Sequence, residues 1–418
     1  MRISTQSFYE QSRTAMGSLQ SNLLRVQQQM GANSKLLAPS DDPLGTTRAM
    51  ALAQSIALNS QYSASRTQAT QTLTQEESVL QSTTSVLQNV KGLLIQAGGT
   101  LNDTDRANIA TSLQSNLDQL QGLANTDDGN GQFLFSGFKS GSAPFVRQAD
   151  GAITYAGDQG QRLTQVDASR QMAGADDGRS IFQSVQSGAG YVTSARVDTV
   201  NPNSLGNVGS GVFNSTSVVD VSNGNYGKDF EIKFSGTGTV ADPVMFTVDT
   251  VPGQATLPSA EVFKEGSPIT FGGLQISISG APAAGDTFKV APAKNAGTDV
   301  FGAINDAIKA LKTPVDNGGP AAQAKVLNAL GTANRKVTNA HDNVLTVRAS
   351  VGSRLQELDA LGATGDSRTL NDKSSLSNLQ DLDYASAISE FYQRQTALQA
   401  SQQTFVKVQQ IALFNYLK

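Results

Sequence analysis

The chain has 418 residues, enough for two or three domains that each bury a core, and both charged residues (16%) and aromatics (6%) are scarce. A formal net charge of -4 without any basic block excludes the electrostatic footprint that nucleic acid or an anionic membrane surface requires. With no Cys, disulfides and thiolate metal sites are excluded as well.

The chain starts Met1-Arg2-Ile3-Ser4-Thr5-Gln6 and continues polar, so no apolar core of a secretory signal is expected; nor does any stretch reach the length of a membrane span. Taken alone, these features predict a cytoplasmic protein. Tyr9, Met16, Leu19, Leu23, Val26 and Met30 then form a heptad-like stripe, alternating steps of three and four after Met16. That spacing predicts a helix with one narrow sticky seam. Pro39 stops it. In Ser40-Asp41-Asp42-Pro43, Asp42 is placed to cap a second helix and Pro43 to occupy its first position, where a missing N–H is harmless.

The second helix carries Leu73, Leu80, Leu87 and Leu94 at seven-residue spacing, with Glu76, Thr83, Val90 and Ala97 on the alternate seam positions. A strict seven-residue repeat predicts left-handed supercoiling. Gly98-Gly99 ends this helix, and a third, with Ile109, Leu113, Leu117 and Leu120, is expected up to about residue 125. From Asp127-Asp128-Gly129-Asn130-Gly131 the period changes. Gln132–Phe135 reads as a strand, and residues 144–147 and 152–155 flank an Asp150-Gly151 hairpin signal.

Between about Val192 and Ala293, strand signals recur at 218–221, 230–234, 244–248, 269–271, 274–278 and 287–290, separated by Gly, Pro, Asn and Asp. They predict an all-β insert, a sandwich. Helix returns near Asp299 and then over about 320–361, where Leu330, Val337, Val344, Val351 and Leu358 hold seven-residue spacing. A last helix from about Leu376 places Tyr384, Phe391, Leu398, Phe405 and Ala412 on one seam line, with Ile388, Gln395, Gln402 and Gln409 on the alternate line and Leu413 beside it.

The expected fold is therefore multidomain α+β: long coiled-coil-like helices from both chain ends forming a rod, a β-hairpin region, and an inserted all-β, sandwich-like domain. The expected divisions are an N-terminal assembly helix (1–42), a helical core segment with the hairpin (43–185), the β insert (186–298), a returning helical core segment (299–375) and a C-terminal assembly helix (376–418). Neither terminal seam is buried alone, so the two ends should pack on each other and then on neighbouring copies. The expected assembly seam is Met16, Leu19, Leu23, Val26, Met30, Ile388, Phe391, Leu398, Phe405, Ala412 and Leu413, with Asp42 as a helix cap.

Candidate chemistry is sparse, and no catalytic residue, cofactor or metal site is expected. His341, the one histidine, sits mid-helix without a nucleophile motif and reads as a helix-surface residue. Residues 125–131 echo a calcium loop, but Asn130 stands where Gly is needed and Ser136 where Glu is needed, so a turn is expected. Asp41-Asp42 and Asp176-Asp177 are adjacent pairs suited to turns and caps, since neighbouring side chains seldom face each other across a cleft.

Both ends resemble the flagellin-like family and, within it, the proteins of the hook-filament junction. At the start the likeness rests on Met1–Thr5, Pro39–Pro43, Asn59–Tyr62, Glu76–Leu80 and Leu123–Phe138; at the end it rests on Ala333–Lys336, Asp342–Gly352, Asp381–Ala385 and Leu413–Leu417. It covers roughly residues 1–180 and 300–418 and leaves the insert without a recognised motif. The resemblance implies a non-enzymatic structural adaptor joining the hook side to the filament, located in the extracellular flagellum and exported unfolded without a cleaved signal. It implies a ring of its own copies, a neighbouring hook-associated protein, flagellin and a cytoplasmic export chaperone as partners. A filament subunit, or an adhesive module carried by the insert, is the alternative reading. The terminal seam carries too little charge to discourage premature self-association, which calls for a cover before export, expected over about residues 376–418.

Overall fold

The computed structural model describes residues 5–196, 206–251 and 260–416, except the side chains of residues 5, 6, 8 and 410–416. The chain forms two compact units, one of Met1–Ser65 with Ala360–Lys418 and one of Arg66–Asp359. Helices α1 (Thr5–Ala32), α2 (Pro43–Ala97) and α3 (Asp103–Ala124) come first. After α1, Asn33 adopts φ of 50°, a left-handed turn that Asn tolerates and that reverses the chain. Asp42 Oδ1 accepts from the Gly45 N–H at 2.9 Å, and Pro43 opens α2 as its capping spacing predicts. Such a cap is worth about 1 kcal/mol. Asn102 caps α3 in the same way, accepting from the Asp105 N–H at 2.8 Å.

The α2 seam is buried along the central unit: Leu73, Leu80, Leu87 and Leu94, with Glu76, Thr83, Val90 and Ala97 between them. Gln132–Phe135, expected as a strand, is a turn instead. Only Phe133 pairs, in a single bridge with Asp127; the Phe133 N–H donates to the Ser140 carbonyl and the Leu134 N–H to the Thr126 carbonyl, so no ladder forms, and Leu134 and Phe135 are both buried in the turn. The Asp150-Gly151 hairpin forms as expected from β1 (Phe145–Arg147) and β2 (Ile153–Tyr155). A second hairpin, β3 (Leu163–Asp167) and β4 (Arg170–Ala173), carries no sequence expectation. The short helix α4 (Gly178–Phe182) follows, capped by Asp177, whose carboxylate accepts from the Ser180 N–H at 2.9 Å.

The insert comprises β5 (Tyr191–Ala195), β6 (Val212–Phe213), β7 (Ser217–Val218), β8 (Asp229–Ser235), β9 (Met245–Val251), β10 (Glu261–Val262), β11 (Pro268–Phe271), β12 (Leu274–Ser279) and β13 (Thr287–Pro292). The order β10-β9-β8-β13-β5 makes one antiparallel sheet; β11-β12-β6, with β7 also on β12, makes the other. Phe230, Ile232, Phe234, Phe288 and Val290 of the first meet Ile269, Phe271, Leu274, Ile276 and Ile278 of the second. That is a two-layer sandwich. Gly272 and Gly273 both have positive φ, 51° and 81°, as a two-residue link between β11 and β12 requires. The strand expected over 218–221 stops at Val218, because the N–H groups of Val219 and Asp220 both turn onto the Gly273 carbonyl.

Helix α5 (Val300–Leu311) packs on α3, and α6 (Gly319–Gln380) and α7 (Tyr384–Tyr416) complete the chain. Asp299 caps α5, accepting from the N–H groups of Phe301 and Gly302. The helix expected to end near Leu361 continues to Gln380, which shifts the start of the last helix from Leu376 to Tyr384. Gly362 and Gly365 weaken this stretch by about 1 kcal/mol each but do not break it. The break lies at Asp381–Asp383, where Asp383 accepts from the Ala385 N–H and the Ser386 hydroxyl. At the centre of unit Arg66–Asp359 sits an aromatic cluster. Phe145 and Phe301 lie 4.9 Å apart, Phe145 and Phe182 5.4 Å, Phe182 and Phe301 5.6 Å, and Phe135 stands edge-on to Phe182 at 5.9 Å. Gly178 lets these rings close, since a Cβ there would meet the Phe145 ring at 2.6 Å.

Candidate assembly interface

Within the unit formed by the two chain ends, α1 and α7 run antiparallel. Tyr9 meets Phe405 edge to face at 5.7 Å, and the Tyr384 hydroxyl donates to the Met30 carbonyl at the other end at 2.9 Å. On α1, Tyr9, Ser12, Met16, Leu19, Leu23, Val26 and Met30 are buried or half-buried at steps of three and four. The expected stripe is thus the one α1 turns inward. Opposite it, α7 turns in Ala387, Phe391, Arg394, Leu398, Ser401, Phe405 and Val408.

The remaining expected positions divide differently. Ile388, placed by sequence on the same seam as Phe391, is exposed at 42% and points away from α1. It belongs to a second heptad line one residue further around α7: Ile388, Tyr392, Gln395, Gln399, Gln402, Val406 and Gln409. Tyr392 (62%) and Val406 (49%) are exposed on it, and only Gln395 is half-buried. One residue is about 100° of helix, so the two lines are separate faces. Ala412 and Leu413 lie in α7 with their side chains outside the described residues. Among the described side chains of α1, Leu24 is the exposed large apolar residue, at 50%.

The turn between α1 and α2 fixes the base of this pair. Asp41 accepts from the N–H groups of Leu37 and Ala38 at 3.2 and 3.1 Å and also pairs with Arg25 of α1. Asp42 faces the other way, onto α2, so the two adjacent carboxylates do separate jobs. Ser34 bridges Asp381 and the Lys35 N–H donates to the Gln380 carbonyl at 2.7 Å, joining the turn after α1 to the turn after α6, while within the helices Ser55 of α2 donates to Asp372 of α6 at 2.6 Å. The hydroxyl and N–H of Ser386, then the N–H of Ala385, hold the Asp383 carboxyl below its usual range. The cap of α7 therefore keeps its charge further into the acid range than a free carboxylate does, which suits a helix N-terminus.

The other candidate residues serve local structure. His341 lies 3.4 Å from Asp342 Oδ1 and 3.5 Å from the Gln88 side chain, between α6 and α2. In the 125–131 turn, Asp127 and Asp128 accept from the N–H groups of Gly129, Asn130 and Gln132. Among the described residues no group of three His, Cys, Asp or Glu is placed to hold a metal ion, and no helix is long and apolar enough to cross a membrane. The second line on α7 escaped sequence reasoning as a separate face. Its signal was present in Tyr392 and Val406, which fit the outward line and not the inward one.

Comparison with known proteins bears on this arrangement. Residues 3–140 match the bacterial flagellin N-terminal helical region, and residues 332–417 match the bacterial flagellin C-terminal helical region. Flagellar hook-associated protein 3 of Salmonella typhimurium is 32% identical over 415 residues, 99% of each chain. The flagellar hook-associated protein-3 of Legionella pneumophila superposes with a TM-score of 0.70 at 27% identity, covering 79% of this chain and 98% of that one. A second structure from that organism, its flagellar junction protein FlgL, gives 0.67 at 26% identity, covering 80% and 100%. Near-complete coverage and shared helical ends leave one conclusion: the chain belongs to the flagellar hook-associated protein 3 family.

Proposed function

We propose that this chain is a non-catalytic adaptor of the bacterial flagellum, which joins the hook, through a neighbouring hook-associated protein, to the flagellin filament. The observation that carries this reading is the pair of heptad lines on α7, one closed by α1 and one open to solvent. A helix with a single apolar line is satisfied by one partner; a second line at about 100° asks for another helix. Neighbouring copies in a ring supply it, and the Gln residues on the open line fix register in place of adding much stability. Assembly outside the cell follows export without a cleaved signal. The expected result in a strain lacking this chain is hooks that persist without filaments, restored by the intact gene; filaments of normal length on the deletion strain would overturn the proposal.

The same open line needs covering before export. The partner expected there is a small helical chaperone that lays its own apolar face along α7, the usual mode for an amphipathic helix. Full-length chain and a version ending at Asp383, each used as bait in cell extract, separate the possibilities. Capture by the full chain alone is the expected result, and equal capture by both would place the chaperone elsewhere.

A further inference from the structure

Glu76 lies on the buried seam of α2 within unit Arg66–Asp359 and is 0% exposed. Its Oε1 accepts from the Asp176 N–H at 3.2 Å, and its Oε2 has no hydrogen-bond partner. Asp176, in the link from β4 to α4, gives its carboxylate to Arg354 of α6. Arg354 also donates from Nη1 to the Ala173 carbonyl at 3.2 Å, while its Nε is unpartnered. The neighbouring charges are already committed: Glu77 is paired with Arg348 at 2.6 Å, and Glu357 with Arg170 of β4 at 2.5 Å. Two carboxyl groups, Glu76 and Asp176, therefore face one guanidinium, with Glu76 itself shut off from water and the Asp176 and Arg354 side chains 17% and 13% exposed.

We propose that Glu76 is a proton-held latch, which fastens the β3–β4 hairpin and the Asp176 turn to α2 and α6 while protonated and releases them on ionisation. A neutral carboxyl can sit beside the Asp176–Arg354 pair at little cost and has an O–H to donate. An ionised one is an uncompensated buried charge that competes with Asp176 for Arg354. Burial first, and the Asp176 charge second, outweigh the attraction of Arg354 and push the Glu76 carboxyl up to about 8. Because this value lies above the ordinary 4.5, the stabilisation is complete below about 4.5 and is lost as pH rises through about 8.

The test uses the full chain labelled with carboxyl-13C glutamate. One glutamate resonance is expected to titrate near the value above and to be missing in Glu76→Gln. Amide exchange over residues 163–177, corrected for its intrinsic pH dependence, is expected to quicken by up to about tenfold per pH unit between about 4.5 and about 8 in the natural chain, to level off above that, and to stay flat in Glu76→Gln. Asp176→Asn leaves Arg354 to Glu76 and is expected to move the glutamate titration down toward the ordinary range. The proposal is overturned if every glutamate titrates below pH about 6, if Glu76→Gln retains the loosening between pH about 4.5 and about 8, or if Asp176→Asn leaves the titration where it was.

Discussion

Phe405→Asp is expected to abolish filament attachment while the chain is still produced with its β sandwich folded. Phe405 stands edge-on to Tyr9 on the inward line of α7 and is half-buried there before any second copy is present. A carboxylate in its place forfeits the ring contact and must lose water when neighbouring helices close over the pair, at about several kcal/mol per copy. A ring repeats that cost around its circumference, so a defect that one copy could survive becomes prohibitive. Leu398→Asp, one turn-pair earlier on the same line, is expected to act alike. Swimming halos and electron microscopy of flagella read the result, and circular dichroism of the purified variant checks the sandwich. Normal motility in either variant counts against the seam. Tyr392→Asp, on the open line, separates the faces: it is expected to leave the α1–α7 pair intact in the isolated chain yet still prevent assembly.

The largest expected loss of stability is at Phe301→Ala, about 3–5 kcal/mol, a large part of the roughly 5–15 kcal/mol that a folded domain has in total. Phe301 is 1% exposed and stacks on both Phe145 and Phe182, so its removal opens a cavity where β1, α4 and α5 converge. Phe145 is anchored by Asn125 at the end of α3, which accepts from the Phe145 N–H and donates to its carbonyl, both at 2.8 Å, and this limits collapse into the space. Urea unfolding followed by near-ultraviolet circular dichroism measures the change. Phe138→Ala is the comparison, because that ring is 64% exposed and its loss is expected to stay within about 0.5 kcal/mol. Equal effects at the two positions would show that the cluster does not organise the unit.

Residues that repeat at a fixed period were legible in the sequence; residues whose role depends on a partner were not. Leu73 to Leu94 and Leu330 to Leu358 announce their burial because the seven-residue repeat averages over many turns. The β insert was legible from its short apolar runs and its glycines. Phe133 to Phe135 misled because adjacent apolar residues fit both a buried turn and a strand. The β3–β4 hairpin stayed hidden because only Val166 and Met172 are buried in it and Leu163 is exposed. At the end of α6, the seven-residue seam ends at Leu358 while the helix runs on to Gln380, so the end of the apolar repeat is not the end of the helix and the break falls instead at Asp381–Asp383. On α7, two heptad lines one residue apart share a single sequence pattern. Which line faces α1 is set by Tyr9 and Met30, residues more than 350 positions away.

Strands β5 and β13 are antiparallel neighbours, with Tyr191 opposite Pro292. Everything between them therefore leaves and returns through a gap of about 5 Å, the spacing of paired strands. Besides that gap, the insert touches α6 near β6, where Asn328 accepts from the Phe213 N–H at 3.1 Å and donates to the Gly211 carbonyl at 2.9 Å. Lengthening, exchanging or reshaping the sandwich changes neither the gap nor the closure entropy by much, since that entropy grows only with the logarithm of the loop. On the proposed assembly, two rates of evolutionary change can thus coexist in one polypeptide: slow in the helices that would face neighbouring copies, and faster in the sandwich beyond its contacts with α6.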